Sequence, residues 1–513
     1  MWSGLQAAIR EAALRRIAEH ERYRERVLAE NVRRARRSSV SPELALPIRP
    51  ELWALDPGFD PYHVRARHRA IGHSVTRRLK VGDYAPRRPG GFWVPKKDGK
   101  SRLVGTFPIA DEVISRRLYG SLLTKNRSRL SARSYAYRDD LNAYDAINYM
   151  QAEWHHEQRL FIAEYDFNDF FGNIEHEAIW ESVRALDLTM TALEERLLHR
   201  FLAAPEPYVT AEQRDAAARP RTRGVPLGTS ISLLLANIAV SPLDRALERL
   251  GVSFVRYADD TVIWSRDYGQ LCRAVDELHS LSAKIGSPIN QEKSMGVRLP
   301  VDPDTRRAEI PLASTVSFLS HDVGLQRTTV QPEVLSQLRN RITTLLYNHL
   351  LREPLRGTQD ITRLSLQDRD YVAYLWQLRR YLYGSLSEHD VRRLGNGPMP
   401  AVRLRGAISR FPLVDDDACW RELDGWISTQ TWLALRRRVA LLSPRMASAL
   451  ATPPLPWGLP RQRLFTLKSV SLRTGDPLDL RLPSAVRMAR VVRKAVQTHG
   501  VDSVGNATAL YGD

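Results

Sequence analysis

The spacing of apolar positions divides the chain into three regimes. Residues 4–37 predict one helix, with Leu5, Ile9, Ala12, Ala13 and Ile17 on one side and many Arg and Glu around the rest, ending in Arg33, Arg34, Arg36 and Arg37. Its alternating charges suit either a solvated helix laced by i,i+4 pairs or a basic arm that touches RNA. Ser38–Pro50 reads as a Ser/Pro linker, and Pro86–Gly91 as a second break. From Gly91 short apolar runs alternate with turn residues. Phe92–Pro95 and Arg102–Phe107 flank Asp98-Gly99 and predict a β-hairpin. Phe161–Tyr165 predicts a buried strand and Glu175–Ala185 a helix. Phe254–Tyr257 and Thr261–Trp264 predict a second hairpin with Ala258-Asp259-Asp260 at its tip. After about residue 330 the pattern is mostly helical, clearest over Val334–Leu351, Tyr371–Tyr383, Trp432–Leu442 and Ala485–Val496. A further break falls near 395, among Gly395, Gly397, Pro398 and Pro400.

Composition narrows the class. A chain of 513 residues exceeds what one hydrophobic core organises, so several packed units are expected. Hydrophobic residues at 43% and charged residues at 26% are the balance of a globular protein. Lys and Arg number 76 against 58 Asp and Glu, and the resulting charge of +18 draws a polyanion, with nucleic acid the leading partner. Cys272 and Cys419 lack the spacing of a disulfide framework or a zinc site. No apolar run reaches the roughly 18 residues that span a bilayer, and charges interrupt MWSGLQAAIREAALRR. The expectation is a cytoplasmic protein with no membrane partner.

The candidate chemistry lies in two acidic segments. Asp166 stands in AEYDFNDFFGNIEH, at the end of a predicted strand, and Asp259 and Asp260 stand at the tip of the second hairpin. Carboxylates converging from fixed strands suit magnesium, and two such ions assist in-line displacement at phosphorus. Asp415-Asp416-Asp417 reads instead as a solvated loop, because consecutive side chains diverge.

These segments resemble, in order, the conserved blocks of the bacterial reverse transcriptases, the group II intron and retron-like catalytic core. VPKKDGKSRLVGTFPIADEVISRRLYGSL resembles the fingers block, which makes Lys96, Lys97 and Arg102 the residues that meet a triphosphate. SARSYAYRDDLNAYDAI matches the next block at Ser134, Tyr137 and Arg138. DFNDFFGNIEH resembles the first palm motif, with Asp166 as metal ligand and Phe171 as the bulky residue beneath the sugar. RGVPLGTSISLLLANIAV resembles the second, with Gly224, Pro226 and Gly228 shaping a loop beside the nascent pair and Ser232 and Asn237 in their places; Leu227 stands where the family often has Gln. Tyr257-Ala258-Asp259-Asp260 resembles the third motif, INQEKS the fourth with Lys293, and VSFLSH the primer grip around Phe318 and Leu319.

The resemblance covers roughly residues 90–325 and implies an α/β (α+β) right-hand polymerase. Fingers and palm would share an antiparallel sheet, followed by a helical thumb and a mostly helical C-terminal domain. The segments would be a basic N-terminal extension over 1–75, fingers over 76–160, palm over 161–325, thumb over 326–395 and a basic C-terminal domain over 396–513. The implied activity is RNA-directed DNA polymerisation with two Mg2+ ions, or Mn2+ in their place, held by Asp166, Asp259 and Asp260. The implied partners are deoxynucleoside triphosphates, template RNA, the DNA product and a structured noncoding RNA, with a homo-oligomer left open.

Among bacterial roles, the long basic C-terminal region is most similar to the defence-associated or abortive-infection enzymes. The alternatives are an intron- or retron-type enzyme, template-independent DNA synthesis, and an RNA-binding scaffold or splicing helper with idle chemistry. An RNA-templated RNA polymerase is disfavoured by Phe171. Arg436 and Arg437, with Arg438, and Arg487, Arg490 and Arg493 are expected to grip RNA phosphates.

Overall fold

The computed structural model describes residues 3–95, 99, 101–155, 157–291, 294–300, 310–446, 453–470, 475 and 477–504. Packing groups the chain into two units. Residues 1–27, 46–142 and 158–313 form the first, and residues 28–45, 143–157 and 314–513 form the second.

In the first unit, β1 (Gly90–Pro95) and β2 (Ser101–Thr106) form the expected antiparallel hairpin, with Phe92 opposite Val104. A five-stranded sheet follows from β3 (Phe161–Tyr165), β4 (Ser253–Tyr257), β5 (Asp260–Ser265), β6 (Gly296–Pro300) and β7 (Leu312–Ala313). Its order is β4-β5-β3-β6-β7, antiparallel except for the β6–β7 pair. The continuous apolar runs of β3 and β5 are buried almost throughout, as strands covered on both faces require.

The helix Tyr268–Lys284 covers one face. It starts where Asp267 accepts the Gln270 N–H at 2.7 Å, and it buries Leu271, Ala274 and Leu278. The Tyr165 ring meets His279 at 5.4 Å and the Phe161 ring meets Tyr268 at 5.3 Å. Side chains alternate along a strand, so Phe161, Ala163 and Tyr165 face this helix while Ile162 and Glu164 face away. The next residue on that second face is Asp166.

The same core takes Ile114 and Leu118 from helix Ile109–Asn126, Leu235 from Ser230–Ala239 and Leu247 from Ser241–Leu250. Ser230–Leu250 is the one helical stretch among the described residues long and apolar enough to cross a membrane, but 78% of that window is buried inside the protein. The N-terminal helix runs over Leu5–Arg37 as expected, with Leu5, Ile9, Ala12 and Ala13 buried.

The basic end of that helix belongs to the second unit and departs from the sequence reading. Arg37 is not on the surface. It is buried, pairs with Glu30 at 3.1 Å and donates to Nδ1 of His349 at 3.1 Å.

In the second unit, β8 (Val316–Phe318), β9 (His321–Val323) and β10 (Thr328–Val330) form an antiparallel sheet, and β11 (Lys468–Val470) pairs with β12 (Pro477–Asp479). The expected helical segments fall in Pro332–Leu346, Arg369–Tyr383, Ala418–Met446 and Ala485–His499. The first ends five residues early, where Tyr347–Leu351 widens into a π-turn.

A second correction concerns Arg438, read from the sequence as part of a surface cluster. It is fully buried, and its guanidinium binds Asp368 at 2.7 Å, Asp370 at 2.9 Å, the Gln359 amide oxygen at 3.0 Å and the Leu350 carbonyl at 2.8 Å. Trp457 Nε1 donates to the same Asp368 at 3.0 Å. A buried charge needs this completeness, because each partner left unmatched would cost desolvation energy.

The run Asp415-Asp416-Asp417 lies in a loop as expected, but its carboxylates are engaged by the protein. Asp415 accepts the Thr328 N–H at 2.8 Å, Asp416 accepts the Ala418 N–H at 2.8 Å, and Asp417 pairs with Arg490 at 2.8 Å and with Arg493. These acids sit where helix Ala418–Met446 begins and its unpaired N–H groups favour negative charge.

Burial holds His321 at a pKa of about 4 and, with the Arg37 guanidinium beside it, His349 at about 3. Each is neutral when folded and regains a pKa near 6.5 when unfolded. The unfolded chain therefore binds more protons below that value, and stability is lost as pH falls from about 6.5 towards 4 and then 3. Each histidine contributes a slope of up to about 1.4 kcal/mol per pH unit. His349→Gln keeps an acceptor for Arg37 and removes one titration, so urea unfolding between pH 7 and 4.5 should show a shallower pH dependence. The same slope in both proteins would exclude His349 as a contributor.

Candidate active site

Sheet register brings the acidic residues together. β4 and β5 pair down to Tyr257 opposite Asp260, so Ala258 and Asp259 form a two-residue turn, with Ala258 at a φ of 61°. Two-residue hairpins need positive φ to match strand twist, and for Ala that costs about 1 kcal/mol. β3 pairs with β5 down to Tyr165 opposite Thr261, so the next position, Asp166, lies opposite Asp260 beside the turn. The backbone of Asp166 is pinned on both sides. Its N–H donates to Ser294 Oγ at 3.2 Å and its carbonyl accepts the Asn290 N–H at 2.8 Å. All three aspartates are partly exposed.

The turn is held from beneath by Arg256, which is 1% exposed. Its guanidinium pairs with the buried Asp244 at 2.5 Å, donates to Ser134 Oγ at 2.8 Å and donates to the Ala258 carbonyl at 3.2 Å. The last contact fixes the peptide that leads into Asp259. Ser134 Oγ in turn donates to Asn237, and the Asn237 amide donates to the Ala136 carbonyl at 3.3 Å. Backbone bonds complete the joint: the Tyr135 N–H reaches the Arg256 carbonyl at 2.9 Å, and the Arg256 N–H reaches that of Arg133 at 3.0 Å.

Tyr137 follows at a φ of 58°, with its carbonyl accepting from Tyr119 Oη at 2.7 Å. Burial first, and then the Asp259 carboxylate, push the Tyr137 phenol well above its ordinary pKa. The phenol therefore stays protonated in the negative field of Asp259 and Asp260. Arg138 turns away to Asp140, at 2.7 Å, and to the Ser131 carbonyl at 2.7 Å.

The loop containing Gly224 and Gly228 rests on the turn after Asp166. The Gly224 N–H donates to the Ile174 carbonyl at 2.7 Å and the Val225 N–H to the Phe171 carbonyl at 2.8 Å. Gly228, at a φ of 90°, lies so close to β2 that an added Cβ would stand 1.8 Å from the Gly105 carbonyl oxygen. No other residue fits there, which explains that glycine. Phe171 is half-buried against the core and meets Phe170 edge-on at 5.3 Å. Arg102 on β2 is 4.0 Å from Asp169, which is itself at a φ of 42°. The β1–β2 hairpin, the loop and the segment after Asp166 are thus in mutual contact.

The donor set suits a hard cation. Three carboxylates reach one corner of the sheet. Among the described residues no three acidic, His or Cys side chains are grouped closely enough to hold an ion by themselves. A hard divalent cation held by one or two carboxylates, with other oxygen ligands completing its shell, matches that arrangement.

Comparison with known proteins bears on the same region. Residues 94–323 match the family described as reverse transcriptase (RNA-dependent DNA polymerase). The chain contains a reverse transcriptase domain. Protein YkfC of Escherichia coli (strain K12) is 25% identical over 174 residues, which is 33% of this chain and 43% of that protein, so the match spans less than half of the relative. Among solved structures, apo telomerase from Candida tropicalis gives a TM-score of 0.38 at 11% identity, over 87% of this chain and 69% of that one. The RNA-dependent RNA polymerase of a human picorbirnavirus gives 0.33 at 15% identity, over 52% and 54%. The antiparallel sheet and its acidic turn fall within the range that matches the reverse transcriptase family.

Asp166, Asp259, Asp260, Phe171, Arg102 and Gly228 all fall in the matched range and in the first unit. Lys96, Lys97 and Lys293 lie outside the described residues. Phe318 and Leu319 fall in the matched range but in the second unit, where both are buried around the β8–β9 turn and Leu319 has a φ of 48°.

Of the C-terminal arginines, Arg436 and Arg437 are exposed, Arg436 over the Trp432 ring at 4.9 Å. Arg487, by contrast, is paired with Glu388 at 2.5 Å, and Arg490 and Arg493 share Asp417.

Sequence reasoning missed Arg256 and Asp244, although a lone arginine inside the apolar run FVRY was a signal of internal pairing. Arg256→Met should leave Asp244 buried and unpaired, at a loss of about 3–5 kcal/mol in urea unfolding. Arg256→Met combined with Asp244→Leu should recover most of it. A loss below about 1 kcal/mol for the single variant, the scale of a surface pair, would show that the joint is not holding the turn.

Proposed function

We propose that this protein adds deoxynucleotides to a 3′-hydroxyl on an RNA template. The observation that carries the reading is the register that sets Asp166 beside the Asp259-Asp260 turn, inside the reverse transcriptase domain. In this reading Asp166 and Asp259 hold two magnesium ions, with Asp260 beside them. Once bound, the ions stabilise the attacking and leaving oxygens of an in-line displacement.

The chain's own residues do the rest. Arg102 supplies a fork for the triphosphate, as Lys96 or Lys97 supplies a point charge. Phe171 fills the space beneath the sugar. Arg256 keeps the turn from shifting as charge develops, since preorganised groups act without reorganising. Tyr137 backs the aspartates with a neutral phenol.

We read the biological role as anti-phage defence with a structured noncoding RNA as partner, in the cytoplasm. Its support is the resemblance to defence-associated enzymes and the long basic region after residue 330.

Asp166→Asn and Asp259→Asn should each lower primer extension on RNA by roughly a hundredfold or more, the scale of losing a charge-stabilising group, with unchanged thermal unfolding. Wild-type rates from either folded variant would exclude this mechanism. Phe171→Ala should raise the use of ribonucleotides relative to deoxynucleotides by roughly tenfold or more, a usual range for steric discrimination. A constant ratio would reduce Phe171 to a core aromatic.

A further inference from the structure

Away from the aspartates, the first unit contains a cavity of about 490 Å3 between the N-terminal helix, the segment from Ile48 to Phe59 and the root of the β1–β2 hairpin. That volume is in the range of about 300–1,000 Å3 typical of small-molecule clefts. Its walls are aromatic: Tyr23, Trp53, Phe59 and Phe92, together with the His20 ring, which meets Trp53 edge-on at 4.8 Å. Arg16 and Arg49 stand at the same cavity. Arg16 is paired with Glu112, while the Arg49 guanidinium lies over the Tyr62 ring at 5.5 Å. Flat apolar walls beside guanidinium groups are the chemistry that takes an unstacked base and the phosphate next to it.

His20 supplies a second, independent observation. Its Nε2 is buried and has no hydrogen-bond partner among the described residues. Its Nδ1 lies 3.4 Å from Tyr62 Oη, and Tyr62 donates its own proton to Glu21 at 2.6 Å. Since that phenol proton is engaged, Nδ1 must be the donor, which leaves Nε2 as the ring position without a partner. A buried polar atom without a partner is uncommon and calls for a polar occupant. An exocyclic amine, as on adenine or cytosine, provides one.

The surroundings favour a strand over a free nucleotide. The neighbouring helix Pro61–Val81 carries Arg65, Arg67, Arg69, Arg77, Arg78 and Lys80 and no acidic residue, so it adds positive charge for a backbone beyond the cavity, whose own lining has Arg16 and Arg49 against the single acid Glu19. Phe92 of β1, exposed by 48%, offers stacking surface at the mouth.

We propose that this cavity is a base-binding pocket for single-stranded RNA, in which Trp53, Tyr23 and Phe92 stack on an extruded base, His20 Nε2 accepts from its amine and Arg49 meets the phosphate. The inference rests on RNA being the partner of this domain, and it places a second point of RNA contact on the fingers and N-terminal helix.

The test is fluorescence anisotropy with a labelled 12-residue oligoadenylate, without divalent metal or nucleotide. Trp53→Ala should weaken binding by about tenfold or more, on the scale of one stacked base, and Trp53→Phe by less than about threefold. Phe92→Ala, at an exposed position that does not threaten the fold, should weaken it as well. Arg49→Gln should flatten the slope of log affinity against log salt by about one unit. Wild type should prefer oligoadenylate to oligouridylate, and His20→Phe should erase the preference. Wild-type affinity in both Trp53→Ala and Phe92→Ala would overturn the pocket, as would free AMP displacing the oligonucleotide at equal nucleotide concentration. Primer extension is measured separately, so an inactive wild type would remove the polymerase reading and leave the binding comparison intact.

Discussion

The active corner depends on one buried ion pair. Arg256 and Asp244 lie on neighbouring elements, a strand and a helix, and both are out of water. Ion pairs so placed contribute little net stability against an apolar alternative, because desolvation offsets their attraction. Their value is directional. The guanidinium has a fixed fork, and here its remaining N–H groups reach Ser134 and the Ala258 carbonyl. One side chain thereby ties the helix behind the sheet, the segment leading to Tyr137 and the turn holding Asp259. An apolar side chain of the same volume would fill the space without specifying any of the three.

Three of the six non-glycine residues with positive φ among the described residues, Tyr137, Asp169 and Ala258, flank the aspartates, while Asp187, Leu319 and Ser320 lie elsewhere. Such conformations persist only where the surroundings over-determine them. The Arg256 joint holds Ala258, the Tyr119 hydroxyl holds Tyr137, and the Gly172 and Asn173 N–H groups return to the Asp169 carbonyl at 3.0 Å.

The sheet and its aspartates were legible in the sequence because local signals agreed: apolar runs of strand length, a turn between them and acids at the tip. What stayed hidden was charge that pairs over distance. Arg37, Arg438 and Arg490 look alike in a sequence, yet Arg37 and Arg438 are buried, and Arg490 is exposed but matched to Asp417. Helical spacing showed which arginines share a face, but not which acid meets that face. The partners of Arg438 at Asp368 and Asp370 lie some seventy residues away, and no periodicity links them. For the same reason Asp415–Asp417 looked solvated. The aspartate turn, by contrast, needed only neighbours on adjacent strands.

The interleaving of the two units was also invisible, since composition shifts mark contiguous segments only. Residues 28–45 and 143–157 pack with residues 314–513, so parts of the second unit are made long before their partners. At about 5–20 residues per second, a ribosome that has just completed residue 157 needs roughly 20–70 s to reach residue 513. Through that interval Ala146, Ile147 and Met150, all buried in the finished protein, await their own unit beside a first unit still being completed. Order of synthesis and order of assembly therefore diverge in this chain.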